Sequence, residues 1–115
     1  MTNKQVINAW VQNPDFAGKN GNGTIYSFDG IIYSYGQHFP MAAEQGGKVY
    51  VNKEKYSPTT SKHQGLLNRA LAAAGIDPVL IDMMDMQKLV FEITFYRSRG
   101  GINPSLSPQN GIPQI

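Results

Sequence analysis

The spacing of apolar residues near the start of the chain predicts a short amphipathic helix. Apolar side chains occupy positions 6, 7, 10 and 11, which fall on one face of a helix. Thr2 and Gln5 have the S/T-x-x-E/Q spacing of a capping box. The pattern therefore predicts a helix over residues 2–12, ended by Asn13 and Pro14.

The spacing then changes to the period of two that is typical of strands. Residues 24–28 and 31–35 alternate, and Asp29-Gly30 between them is a strong signal for a tight hairpin turn. Residues 39–45 and 48–52 flank a second such turn at Gly46-Gly47. Pro40 indicates an edge or strand-initiating position, because proline cannot donate to a ladder. These segments predict a small antiparallel meander.

A second helical pattern follows over residues 61–74. Ser61 and Gln64 again have capping-box spacing, the apolar positions form one stripe, and Gly75 stands where a left-handed C-cap glycine belongs. Gly65 in the first turn costs about 1 kcal/mol relative to alanine. Either the frayed helix end tolerates it, or something approaches the backbone closely there.

The C-terminal third is predicted from weaker patterns. Asp77-Pro78 resembles an N-cap followed by proline at the first helical position, which favours a short helix through about Met86. The β-branched and aromatic content of residues 89–96 favours a closing strand. Residues 100–115 are rich in proline, glycine, serine and asparagine, which predicts an extended or disordered tail.

Together these elements predict an α+β domain over residues 1–99, followed by the tail. Its sheet is a small antiparallel meander of about four or five strands, with the N-terminal helix and the main helix packed on one face. The hydrophobic content of 41% and charged content of 16% are those of a folded chain.

Composition also limits the function classes. The chain has no cysteine, which excludes disulfides, thiolate metal sites and a cysteine nucleophile. We find neither a signal-peptide pattern nor an apolar run of the roughly 20 residues that a membrane helix needs, so we expect a soluble, cytoplasmic protein without membrane partners. The net charge of +2 permits nucleic-acid binding without indicating it.

Two histidines, His38 and His63, are the candidates for catalysis. One could act as the base and the other as the acid of a metal-independent phosphodiesterase, because imidazole exchanges protons near neutral pH. The alternative is that each is a hydrogen-bonded structural residue. No H-x₃₋₅-H or H-E-x-x-H motif occurs, so we predict neither a metal site nor a cofactor.

The start of the main helix is the candidate anion site. Thr59, Thr60 and Ser61 bring hydroxyls and unpaired amides to the positive end of the helix dipole, and Lys62 adds a cation. The alternative is that these hydroxyls only cap the helix. Nearby tyrosines and further basic residues supply the stacking surfaces and cations that single-stranded nucleic acid favours, although a solvated face explains the lysines equally well. The predicted binding residues are Tyr33, Tyr35, His38, Tyr56, Ser57, Thr59, Thr60, Ser61, Lys62, His63 and Arg69.

Two segments carry a family resemblance. Residues 32–40 read IYSYGQHFP, and residues 56–64 read YSPTTSKHQ. They resemble a widespread family of small phage- and plasmid-encoded domains of unknown function, whose members carry a YSYGxHFPxA-like segment followed by a YSxTTSxHQ-like one. The resemblance extends over residues 3–71 and does not include the segment after Gly75. It implies a mobile genetic setting in a bacterial host and a coupled pair of motifs.

Three functional hypotheses follow. The first is a non-enzymatic accessory protein that binds nucleic acid, a nucleotide-like anion or a host factor such as a defence component. The second is a metal-independent phosphodiesterase or nuclease-type enzyme that uses His38 and His63. The third is that the two motifs only join the sheet to the main helix.

Overall fold

The computed structural model describes residues 1–35 and 39–98, with the backbone alone for residues 97–98. Within these ranges three helices pack against one six-stranded sheet. The helices are α1 (Asn3–Gln12), α2 (Pro58–Ala73) and α3 (Met83–Ser98). The strands are β1 (Gly18–Lys19), β2 (Ile25–Phe28), β3 (Ile31–Ser34), β4 (Phe39–Gln45), β5 (Lys48–Asn52) and β6 (Val79–Ile81). The predicted α+β class is confirmed, with six strands rather than four or five.

The strands follow one another across the sheet in chain order. Each of the first four strands pairs antiparallel with the next, and β6 adds to β5 in parallel after the chain has passed through α2. Both predicted hairpin turns are present. Asp29 and Gly30 have φ of 56° and 82°, and Gly46 and Gly47 have 62° and 82°. Positive φ at both central residues is the geometry of the turn whose twist matches the flanking strands.

Pro40 does not lie on an edge strand. It is the second residue of β4, which lies between β3 and β5. The register with β3 shifts beside it, because Ile32 pairs with Ala42 whereas Tyr33 pairs with Pro40. Such a bulge interrupts the ladder, so proline's missing N–H is tolerated there.

The two faces of the sheet bury separate apolar clusters. On one face α1 and α2 cover the larger cluster, which includes Trp10, Ile32 and Leu67. This placement of both helices on one face confirms the prediction. On the other face α3 covers a smaller cluster that includes Tyr33, Met86 and Ile93. The sheet is therefore the middle layer of three.

Two predictions for the C-terminal third are wrong. Residues 89–96 belong to α3 and form no strand. Met86 and Ile93 are buried and Leu89 and Val90 are half-buried, which is a helical stripe. The exposed Phe91 and Phe95 on the same segment made that stripe hard to recognise from the sequence. In addition, Asp77-Pro78 begins no helix, because the next residues form β6 beside β5.

The main helix begins one turn earlier than predicted. Ser57 is its N-cap and Pro58 its first residue, whereas the sequence pattern placed the cap at Ser61. The predicted C-terminus is confirmed, since Gly75 has φ of 73° directly after the helix. At the other helix, the capping box of Thr2 and Gln5 is present. No helix within the described ranges has the length and apolar character needed to cross a membrane.

Candidate functional site

Three buried polar side chains join the end of β3 to α2. The Ser34 Oγ lies 3.0 Å from the Thr60 Oγ1 and 2.9 Å from the His63 Nδ1. Alternation along β3 turns Ser34 and Ile32 towards α2, and the spacing of Thr60 and His63 puts both on the helix face that meets them. All three polar residues are buried. The contact therefore links the two sequence motifs directly.

The protons of this group can be assigned from its neighbours. The Ser57 hydroxyl donates to the Thr60 Oγ1 at 3.2 Å, which leaves the Thr60 hydroxyl to donate to Ser34. Ser34 then donates to the His63 Nδ1, so that the imidazole carries its proton on Nε2. Burial lowers the pKa of His63, which favours this neutral ring.

The Ser34–His63 pair has the residue types of a nucleophile and its base, but not their accessibility. The Ser34 side chain is 0% exposed, and its hydroxyl is held between Thr60 and His63. A catalytic serine must reach a substrate from a cleft. In this arrangement the hydrogen bonds hold β3 against α2.

An aromatic patch stands beside this group, formed by the exposed Tyr56, the half-buried Tyr35 and the buried Phe39. The ring centroids of Tyr35 and Tyr56 are 6.0 Å apart, and those of Phe39 and Tyr56 are 5.6 Å apart. Tyr56 is 60% exposed, so it presents ring surface to solvent. Hydrogen bonding with Thr59, and secondarily with Ser57, lowers the pKa of the Tyr35 phenol.

A cationic cleft runs along the outer side of α2. Its volume is about 540 Å³, and its lining includes Thr59, Ser61, Lys62, His63 and Arg69. The other lining residues are Asn3, Gly65 and Leu66, so no carboxylate side chain lines it. Among the described residues, neither Lys62 nor Arg69 forms an ion pair. The cleft therefore presents two positive charges that the described fold leaves uncompensated.

Gly65 has an identifiable neighbour in this cleft. A Cβ atom at this position would lie 3.5 Å from an Nη atom of Arg69. The guanidinium thus lies over the glycine, one turn back along the helix. The sequence had left open whether a group approaches the backbone here, and that group is the side chain of Arg69.

The start of α2 offers less to an anion than the sequence suggested. Pro58 has no N–H, the Thr60 amide donates to the Ser57 Oγ at 3.1 Å, and the Ser61 amide donates to the Ser57 carbonyl oxygen. Thr60 is also buried. The helix begins at Pro58. The three residues Ser61, Lys62 and His63 therefore lie beyond its first three residues, and at their positions the influence of the helix dipole has fallen off. The chemistry available to an anion lies in the side-chain cleft.

The predicted site residues are only partly assembled. Tyr35, Tyr56, Ser57 and residues 59–63 lie around the start of α2, and Arg69 reaches the same cleft. Tyr33 is separate, because it is buried under α3 on the opposite face, where burial raises its pKa. His38 lies outside the described residues. Ser34 and Phe39 also belong to this region and were not among the predicted residues, although the alternation of β3 places Ser34 beside Ile32 on the helix-facing side.

No group of three or more His, Cys, Asp or Glu side chains in the described ranges could hold a metal ion. Comparison with protein-family models, with curated proteins and with solved structures produced no match.

Proposed function

We propose that this protein is a non-enzymatic accessory protein of a phage or mobile element that binds single-stranded nucleic acid. The ligand would lie along α2, with its phosphates in the cationic cleft and a base on the aromatic patch. The observation that carries the proposal is the pairing of Lys62 and Arg69 in a cleft without carboxylates. The mobile genetic setting is supported only by the resemblance of the two motifs.

The geometry suits a single strand because the two surfaces are continuous. Thr59 lines the cleft and also hydrogen-bonds the Tyr35 phenol of the aromatic patch. Stacking on an exposed aromatic side chain contributes about 1–3 kcal/mol per base and tolerates any sequence. Cations in a neighbouring groove then follow the backbone phosphates.

The proposal is tested by binding of a labelled single-stranded oligonucleotide over a range of salt concentrations. We expect affinity to fall as salt rises, because each neutralised phosphate releases counterions. In the Lys62→Gln/Arg69→Gln variant the slope of log K against log salt should become shallower by about 1.4, at roughly 0.7 per lost contact with a single strand.

A matched control removes the same charge elsewhere. The variant Lys19→Gln/Lys48→Gln alters two exposed lysines on β1 and β5 and should retain the slope of the parent chain. For stacking, Tyr56→Ala should weaken binding by about tenfold or more while the slope stays constant, at about 1.4 kcal/mol per tenfold change. Binding that ignores salt, or an equal loss in the Lys19/Lys48 control, would overturn the proposal.

The phosphodiesterase alternative receives less support from the geometry. It requires the imidazole of His63 to exchange a proton with a substrate, yet this side chain is 3% exposed and its Nδ1 is bonded to Ser34. Its partner in the hypothesis, His38, lies outside the described residues. Cleavage of the oligonucleotide in the presence of a chelator, abolished by His63→Gln, would favour the enzyme instead.

A further inference from the structure

Helix α3 has a second apolar face that points away from the sheet. Met86 and Ile93 face the sheet and are buried. On the outer side Met84 is 65% exposed, Phe91 73% and Phe95 44%. Large apolar side chains grouped on an exposed surface mark an interaction site more often than a solvated face.

The outer residues have the spacing of a helix–helix seam. Positions 84, 88, 91 and 95 are separated by four, three and four residues, which is the a/d pattern of paired helices. The Phe91 and Phe95 rings stack with centroids 6.3 Å apart. A shallow groove of about 650 Å³ runs along this side, lined only by residues of α3. The groove therefore follows α3, which suits another helix packed alongside it.

We propose that the occupant of this seam is the α3 helix of a second copy of the chain, packed antiparallel about a two-fold axis. In such a pair the residue numbers of any two facing seam residues add up to the same value. Met84 then faces the partner's Phe95, and Lys88 faces the partner's Phe91. One patch meeting itself is what a two-fold dimer requires.

Charge complementarity supports this partner and this orientation. In the antiparallel register Lys88 lies on the same side of the seam as the partner's Glu92 and within about one residue of it along the axis. The symmetry repeats the pair. Lys88 is exposed and has no ion pair among the described residues, and Glu92 accepts only a long hydrogen bond of 3.4 Å from Gln45. The Lys88 stem would cover the partner's Phe91 ring while its ammonium reaches the carboxylate.

The first test is the oligomeric state of the full chain by analytical ultracentrifugation. We expect a reversible dimer. Phe91→Glu should raise the dimer dissociation constant by about 30-fold or more, because a central aromatic residue of an interface is a typical hot spot. The control Tyr56→Glu places the same charge at an exposed aromatic residue beside α2 and should leave the dimer intact. A parent chain that stays monomeric at millimolar concentration would overturn the proposal.

The second test separates a copy of this chain from any other partner. Lys88→Glu should weaken the dimer, because the new carboxylate would lie beside the partner's Glu92. The two-fold symmetry creates this repulsion twice. Lys88→Glu/Glu92→Lys should restore it, because the exchanged pair is again opposite in charge. Lys88 and Glu92 are also i,i+4 neighbours on one helix, so the two single variants are mixed as well: Lys88→Glu and Glu92→Lys chains should form a heterodimer, because each pair across the interface is then opposite in charge while each helix keeps a like-charged pair. A double variant that remains as weak as Lys88→Glu would refute the register.

The third test uses the absence of native cysteine. In Met84→Cys/Phe95→Cys each new thiol faces the other thiol of the partner, so oxidation should give a covalent dimer. The two positions are about 16 Å apart along one helix, beyond the reach of an internal disulfide. Met84→Cys alone should remain uncrosslinked. Equal crosslinking of the single variant would indicate another orientation and contradict the antiparallel pair.

Discussion

Among the single residues, Ser34 has a structural role that its residue type does not predict. Its hydroxyl is fully buried and contacts both Thr60 and His63, which belong to a helix 26 and 29 positions further along the chain. A buried hydroxyl without partners would cost roughly 1–3 kcal/mol, so the three groups depend on one another. The hydrogen bonds among Ser34, Thr60 and His63 hold β3 against α2. They thereby position the aromatic patch and the cationic cleft.

His63 makes this group sensitive to acid. Its ordinary pKa of 6.5 is lowered in the folded state by burial, so the unfolded chain binds its proton first as the pH falls. The contribution of neutral His63 to stability is therefore complete above about pH 6.5 and is lost as the pH falls towards the lowered pKa of the folded state. We expect urea unfolding between pH 7.5 and about pH 5 to show this decline, above the range where carboxylates titrate.

The matched variant for this prediction is His63→Gln, which should flatten the dependence in the same window. A slope that survives in His63→Gln and disappears in His38→Gln would assign the effect to His38.

At the scale of elements, the start of α2 determines which groups remain available for binding. Ser57 uses its side chain and its carbonyl oxygen to satisfy two amides of the first turn. Ser61 lies one turn further on and lines the cleft instead. The same hydroxyl residues would have formed a different site if the helix had begun at Ser61.

The position of the cap is tested by two alanine substitutions. Ser57→Ala should lower the free energy of unfolding by about 1 kcal/mol, the usual cost of losing an N-cap side chain. Ser61→Ala should change it by less than about 0.5 kcal/mol, as at other surface positions. Thermal or urea denaturation would measure both, and the reverse order would show that the helix begins at Ser61.

At the scale of the whole molecule, the sheet couples two clusters that share no side chains. Met41 and Ala42 on β4 contribute to the larger cluster, and Ala43 on the same strand contributes to the smaller one. Because β4 contributes side chains to both clusters, loss of either cluster removes packing that holds this strand. The described fold should therefore unfold as one cooperative unit.

Trp10, the single tryptophan, provides the test because it reports on the larger cluster. Ile93→Ala removes apolar contacts of α3 on the opposite face and should cost about 2–5 kcal/mol. We expect the transition followed by Trp10 fluorescence to shift by the same amount as the transition followed by far-ultraviolet circular dichroism. The control Thr94→Ala, at an exposed neighbour, should shift neither. Transitions that separate in Ile93→Ala would show that α3 unfolds independently.

Features that depend only on neighbouring residues could be predicted from the sequence. The capping box of α1, the two hairpin turns and the C-terminal glycine of α2 each follow from the backbone angles that a few adjacent residues allow. The same reasoning placed Tyr56, Ser57 and residues 59–63 together, because they are contiguous in the chain.

The remaining features could not be predicted in this way, because they depend on partners distant in sequence. Val79–Ile81 becomes a strand by pairing with β5, and three residues carry too little pattern to predict that. Residues 89–96 are apolar on several sides, so their period became readable only once the sheet defined the buried side. Likewise, Ser34 contacts Thr60 and His63 because its side chain lies on the face of β3 that packs against α2. Tyr33 is separated from them because its side chain lies on the opposite face, against α3.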